Sequence, residues 1–252
     1  MHNKKLIVGI TAAGSVGLLP GQLAYFKNKG YQTFLLAPRS ERSVAFCQNE
    51  GCELLEIDIK REISLWHDVK ALIKIYFIFL KVRPDVVNLG TPKVALLGMI
   101  AAKISGVKNR IYTCRGLRYE HEKGKLRTIL MNMEKLTANC SHTVNCISNS
   151  VKELGLKDKI FPESKVVVIK NGSSNGIDIA YFSNKNINEL DKQVLIEKYG
   201  LQDSFVFGFL GRLIDRKGIS ELYNAFDKIY KTNPNIKLLI VGPAENSQIS
   251  DI

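Results

Sequence analysis

The chain has 252 residues, 45% of them hydrophobic, enough to bury a sizeable core as one large domain or two smaller ones. Its formal net charge of +12 is unevenly placed: residues 1–170 hold 27 Lys and Arg against 14 Asp and Glu, an excess of 13, whereas residues 171–252 hold 9 against 10. Five cysteines (Cys47, Cys52, Cys114, Cys140, Cys146) with no Cys-x-x-Cys pair exclude an evident disulfide framework or zinc cluster and fit a reducing cytosol.

The N-terminal MHNKKLIVGI has an apolar run too short for a secretion signal and is expected to form a first strand. Further apolar runs follow in TFLLAP, CELLEIDI, DVVNLGT, NRIYTCRG, HTVNCIS and KVVVIKN, separated mostly by segments long enough for a helix. That rhythm predicts an α/β fold with a doubly wound parallel sheet covered on both faces. Pro20 opens one candidate helix and Gly30 follows it, while another begins near Pro92 and is followed by Gly106.

Between the third and fourth strands lies HDVKALIKIYFIFLKVRPD, with a ten-residue apolar centre from Ala71 to Leu80 interrupted by Lys74. It is too short for a bilayer span, which takes about 20 apolar residues. A core helix is the favoured reading, and Lys70, Lys74, Lys81 and Arg83 leave a membrane-lying helix open. The repeat breaks over residues 171–188, NGSSNGIDIAYFSNKNIN, whose polar and glycine-bearing composition suits a linker. The expected division is therefore a first domain over 1–171, a linker over 172–188 and a partial second Rossmann-like domain over 189–252. The latter offers a helix at 189–200, the strand SFVFGFLG, a helix from about Ile219 to Lys231 and the strand IKLLIVGP. Two strands in roughly 80 residues are few for a doubly wound domain, which usually takes 100 residues or more, so this domain is expected to be incomplete.

Three turns carry possible chemistry. TAAGSVG (11–17) follows the first strand, where open α/β sheets bind ligands, and its small residues let a phosphate approach backbone amides; a tight turn explains Gly14 and Gly17 equally well. The turn is not Gly-x-Gly-x-x-Gly and no acidic residue closes the second strand, which disfavours a nicotinamide enzyme. YTCRGLRYEHEKGKLR (112–127) leaves the fifth strand with Arg115, Arg118, Glu120, His121 and Glu122 together, joining phosphate-binding cations to acid/base groups, or simply forming a solvated basic loop. In GFLGRLIDRKGISEL (208–222), Arg212 ends a strand and Lys217-Gly218 precedes a helix, so both cations and the helix N–H groups could meet a diphosphate.

The histidines His2, His67, His121 and His142 lack metal-ligand spacing and no Asp-x-Asp occurs, so neither metal nor cofactor is inferred. No Gly-x-Ser-x-Gly elbow or Walker loop supports hydrolase or P-loop chemistry. The basic first part favours an anionic membrane face, at about 1 kcal/mol per exposed cation near acidic lipid. Nucleic acid is disfavoured because the basic segments show no recognition motif and no interleaved aromatics.

Gly211-Arg212-Leu213 followed by Lys217-Gly218 resembles the donor-phosphate motif of retaining GT-B glycosyltransferases of family 4. Asn175-Gly176-Ile177-Asp178 with Phe182 four residues later resembles the interdomain Asn-Gly-x-Asp-x-x-x-Phe signature of that family. The wider GSSNGID and TPKVALLGMIAAKISGVKNRIYTCRG segments are similar to the subset that builds bacterial capsular, O-antigen and related surface polysaccharides. The resemblance implies a GT-B-like, metal-independent enzyme that moves a sugar from a nucleotide sugar, expected to be UDP-linked, to a polyprenyl-linked saccharide at the inner face of the cell membrane. Arg212 and Lys217 would bind the donor diphosphate with Gly14 beside it, and Arg115, Gly116, Arg118, Glu120 and His121 would lie on the acceptor side. Many members carry His-Gly where this chain has Arg115-Gly116, so no histidine role transfers there. The family's Glu-x7-Glu segment, which holds donor sugar and ribose, is expected beyond residue 252; residues 1–252 alone are then expected to be inactive. A non-catalytic acceptor- or membrane-binding remnant is the alternative, and a Rossmann-type oxidoreductase or epimerase is a third reading.

Overall fold

The computed structural model describes residues 4–60 and 64–243 and divides into two compact units, Met1–Ile177 and Asp178–Ile252. The first unit alternates strands and helices: β1 Lys5–Gly9, α1 Gln22–Asn28, β2 Gln32–Ala37, α2 Glu41–Glu50, β3 Glu53–Glu56, α3 Leu65–Val82, β4 Val86–Leu89, α4 Pro92–Ile104, β5 Asn109–Cys114, α5 Gly124–Cys140, β6 Thr143–Cys146, α6 Asn149–Lys157 and β7 Val166–Val168. The seven strands form one parallel sheet in the order β3-β2-β1-β4-β5-β6-β7, the doubly wound sheet expected from the strand and helix rhythm.

The period of two along a strand divides the apolar residues between two cores. Ile7, Phe34 and Leu36 belong to the larger cluster, with Ile75 and Phe79 of α3 and Val94, Leu97 and Ala101 of α4. Leu6, Val8, Ile10, Leu35 and Ala37 point to the other face, against Leu23 of α1 and Cys47 of α2. A central strand buried on both faces has no room for polar alternation, so these strands read as continuous apolar runs. At the sheet edge β3 is shorter than the run CELLEIDI, because it has a neighbour only in β2.

Local signals set the helix ends. Ser40 and Ser43 form a reciprocal capping box at the start of α2, and Gly51 closes that helix in the left-handed region. Pro92 occupies the first position of α4, where its missing N–H costs nothing. Helix α3 buries Ala71, Ile75 and Phe79 as a core helix should, yet Trp66, Val69, Ile73, Phe77 and Leu80 on its other side are exposed. A pair of ions ties α3 to α4: Lys93 Nζ lies 2.8 Å from Asp68 Oδ1, with both side chains largely out of water.

The second unit holds α7 Glu189–Lys198, β8 Phe205–Leu210, α8 Ile219–Tyr230 and β9 Ile236–Val241. β8 and β9 pair in parallel from Phe205 with Ile236 to Leu210 with Val241. Ile214 and Ile219 are the buried hydrophobic residues of this unit among the described residues, whereas Phe205, Leu210, Leu190 and Val194 are exposed. The ends of β8 and β9 approach so closely that a Cβ on Gly242 would run into the carbonyl of Gly211.

Candidate functional site

In the first unit the chain winds outwards through β1, β2 and β3 and then crosses to β4 on the other side of β1. The loops after β1 and β4 consequently diverge at the carboxyl edge, where open α/β sheets place ligands. Here Thr11 and Thr91 fasten the two loops. The Thr11 backbone N–H donates to Thr91 Oγ1 at 2.6 Å, and the two hydroxyl oxygens lie 2.7 Å apart. Thr11 Oγ1 also accepts from the Val94 N–H at 3.1 Å, which supplies the first turn of α4 with an acceptor that its own N-cap, Thr91, does not provide.

Beside this fastening is a cavity of about 310 Å³. Thr11, Ala12 and Ser15 come from the loop after β1, Thr91, Pro92, Lys93 and Leu96 from the start of α4, Arg118 from the turn after β5, and Leu130, Met133, Glu134 and Thr137 from α5. An apolar floor with a few convergent polar groups is the usual make-up of a small-molecule site.

Glu134 is the most perturbed group in that wall. It is 6% exposed, and its Oε2 accepts from the Tyr112 hydroxyl at 2.7 Å. Burial pushes its carboxyl up to about 7 against the opposing pull of the Tyr112 hydrogen bond. Near neutrality a carboxyl of this kind is protonated in a large fraction of molecules and can donate as well as accept. Tyr112 is itself fully buried, and desolvation followed by the neighbouring Glu134 raises its pKa. Glu134 was absent from the candidates read off the sequence. The available signal was positional: it stands four residues from Leu130 and four from Ala138, a carboxylate in the buried stripe of an otherwise amphipathic helix.

The turn after β5 holds the five residues expected on the acceptor side, in different surroundings. Tyr119 is fully buried, with the Arg127 guanidinium 5.3 Å from its ring centroid, and Arg127 pairs with Asp158 at 3.2 Å. This anchor leaves Arg118, Glu120 and His121 exposed, and of these Arg118 lines the cavity. Gly116 has φ +141°, a backbone that side chains resist. Arg115 is half-buried: Nη1 donates to the Gly90 carbonyl at 2.6 Å and Nε to Ser174 Oγ at 2.7 Å. Burial lowers its pKa, yet a guanidinium stays charged. A Cβ at Gly90 would collide with Arg115 Nη1, so the missing side chain of Gly90 is what admits this guanidinium.

Gly14 sits in a 3₁₀ helix, Ala13–Leu18. An added Cβ there would meet nothing nearer than Arg42 Nη1 at 3.9 Å, so the turn is open and has a cation close by that the sequence reading did not single out. Asn175 Nδ2 donates to the Pro20 carbonyl at 2.7 Å, and Gly176, at φ +77°, donates its N–H to Ser173 Oγ at 2.8 Å. Asp178 Oδ1 accepts from the N–H groups of Ala180 and Tyr181, both at 3.0 Å.

In the second unit, Arg212 follows β8 and Lys217 ends a 3₁₀ turn, Asp215–Lys217. Both side chains are exposed. Gly218, at φ +71°, links that turn to α8, and its position at the N-cap leaves the first-turn N–H groups of a 12-residue helix without a side-chain cap. Lys217 thus stands beside a helix start whose N–H groups have no side-chain cap, and such a terminus favours negative charge.

The histidines have other surroundings. His67 Nδ1 lies 2.9 Å from Ser64 Oγ, and His142 Nε2 lies 2.8 Å from an Arg110 guanidinium nitrogen. Burial, then Arg110 and Lys165, lowers the pKa of His142. His2 lies outside the described residues.

Residues 22–174 match the profile of Glycosyltransferase Family 4, and residues 191–252 match that of Glycosyl transferases group 1. The chain belongs to glycosyltransferase family 4. This family 4 chain is similar to the capsular polysaccharide biosynthesis glycosyltransferase CapM of Staphylococcus aureus, at 36% identity over 253 residues, covering 100% of this chain and 64% of the relative. It is also similar to the UDP-Gal:alpha-D-GlcNAc-diphosphoundecaprenol alpha-1,3-galactosyltransferase of Escherichia coli, at 32% identity over 189 residues, covering 73% of this chain and 47% of the relative. The family 4 chain thus spans less than two thirds of the length of either. Among solved structures, Anabaena Alr3699/HepE in complex with UDP and glucose shares the fold at a TM-score of 0.71 and 17% identity, covering 97% of this chain and 62% of that one.

Proposed function

We propose that this family 4 chain is the greater part of a retaining, metal-independent glycosyltransferase that moves a sugar from a UDP sugar to a polyprenyl-linked saccharide during bacterial surface polysaccharide synthesis. The relatives point that way: one is a capsular polysaccharide glycosyltransferase, and the other uses UDP-Gal and a diphosphoundecaprenol acceptor. The observation that carries the acceptor assignment is the cavity at the β1/β4 divergence, where Arg118, the buried Glu134 and Lys93 line an apolar floor. Arg118 meets an acceptor phosphate. Glu134 exchanges a hydrogen bond with a sugar hydroxyl, and Leu96, Leu130 and Met133 take an apolar sugar face. Arg115, held by Gly90 and Ser174, positions the turn that carries Arg118.

Arg212, Lys217 and the start of α8 take the donor diphosphate. Bond breaking at the anomeric carbon leaves negative charge on that diphosphate, and neutralising it is the main electrostatic requirement of the step. Gly14 offers a second open turn to phosphate, with Arg42 near it. The site of action is the inner face of the cell membrane, where the lipid-linked acceptor is presented from the cytoplasm. The test is titration of the chain with a water-soluble, short-prenyl diphosphate-linked monosaccharide. Arg118→Ala is expected to weaken binding roughly tenfold or more, the worth of one charge-assisted contact, while UDP binding is unchanged. An unaltered acceptor affinity, or a loss confined to UDP, overturns the assignment.

A further inference from the structure

We propose that the solvent face of α3 is a docking surface for an anionic lipid bilayer. At about 100° per residue, Leu65, Trp66, Val69, Ile73, Phe77 and Leu80 fall within an arc of about 120°. All six are exposed, Trp66 by 73% and Phe77 by 62%. This arc is separate from the face carrying Ala71, Ile75 and Phe79, which holds the helix to the sheet. Helix α3 is therefore fastened by one apolar face and offers a second along its length of about 27 Å.

The charges select the occupant. Lys70, Lys74 and Lys81 lie within the next 60° or so beyond the apolar arc and are exposed. Asp68, the acidic residue of the helix, is turned inwards to Lys93. One border of the strip is thus a row of cations. Two copies meeting at this face would bring those rows together, whereas an anionic membrane meets them with phosphate. An apolar strip with Trp and Phe beside a lysine row is the make-up of a helix that lies in the bilayer interface. Trp66, whose ring has the Lys70 ammonium 5.8 Å from its centroid, stands at one end of the strip, and amphipathic rings favour headgroup depth. The excess of 13 positive charges in residues 1–170 adds attraction at longer range.

The purpose of such docking rests on the proposed lipid-linked acceptor, and the assay below contains no saccharide, so the two readings fail separately. Trp66 is the single tryptophan of the chain, so its fluorescence reports on this face alone. The 252-residue chain is titrated with phosphatidylcholine vesicles with and without phosphatidylglycerol. Expected are a blue shift of Trp66 emission with the anionic vesicles, quenching by lipids brominated in the acyl chain, and release by salt. Ile73→Ser/Phe77→Ser is expected to lower the partition coefficient at least tenfold, while circular dichroism stays that of the parent because both positions are exposed. Lys70→Gln/Lys74→Gln/Lys81→Gln is expected to lower it on the order of a hundredfold for anionic vesicles, at about 1 kcal/mol per cation, and little for neutral ones. Equal partition of the parent into both vesicle types, vesicle binding that leaves Trp66 unquenched, or a lipid-free dimer dispersed by Ile73→Ser/Phe77→Ser overturns the proposal.

Discussion

Glu134→Gln tests whether the buried carboxyl in the cavity wall is held as a neutral acid. In the folded chain its pKa stands at about 7 against an ordinary 4.5, because burial strips water from the charged form. Between those values the folded chain keeps a proton that the unfolded chain has released. The stability associated with the neutral carboxyl is therefore fully present below pH 4.5 and is lost as the pH rises through 7. At about 1.4 kcal/mol per pK unit, the loss between about pH 4 and about pH 8 comes to roughly 3 kcal/mol. Glutamine keeps an oxygen for the Tyr112 hydroxyl and cannot ionise; its amide hydrogens add a pH-independent offset on the order of 1 kcal/mol. Urea unfolding of parent and variant, followed by far-UV circular dichroism across that range, gives the difference directly. The variant is expected to gain on the parent by about 3 kcal/mol as the pH rises, most of it between pH 5 and 7. A difference that stays flat would refute the reasoning, since it would mean that Glu134 ionises as freely folded as unfolded.

Two further outcomes are expected. Gly172→Ala should lower the stability of the first unit by about 2 kcal/mol or more, because Gly172 has φ +81° and an added Cβ would press on the Ile147 carbonyl; an unchanged urea midpoint would contradict this. Residues 1–252 alone should bind UDP weakly, with Arg212→Ala and Lys217→Ala each costing roughly tenfold by calorimetry, and should transfer no sugar from a panel of UDP sugars to polyprenyl-diphosphate acceptors. Robust glycosylation of the lipid would show that a second unit in which, among the described residues, Ile214 and Ile219 are the buried hydrophobic ones can nevertheless hold a donor in register.

The order of elements was legible in the sequence because its causes are local. Strands buried on both faces must be apolar throughout, and Pro92, Gly30 and Gly106 act on their own backbone. The turns that carry Gly14, Arg115 and Arg212 could be found for the same reason, since each lies just after a strand, and Lys217-Gly218 marks the start of a helix. Side-chain partners were not legible. Arg115 reads as a free cation in YTCRG, and it is the fold that brings Gly90 and Ser174, distant in sequence, to its guanidinium. Glu134 reads as one more charge in a polar helix until α5 packs beside β5 and Tyr112 closes over it. Helix α3 shows the division most plainly. Its sequence is apolar around most of its circumference, so hydropathy alone could not assign an inner face. Docking against α4, with Asp68 drawn to Lys93, chose Ala71, Ile75 and Phe79 for the core and left Trp66, Ile73 and Phe77 to the outside. Periodicity records which residues share a face, and only the packing of one element on another decides which of two apolar faces is buried.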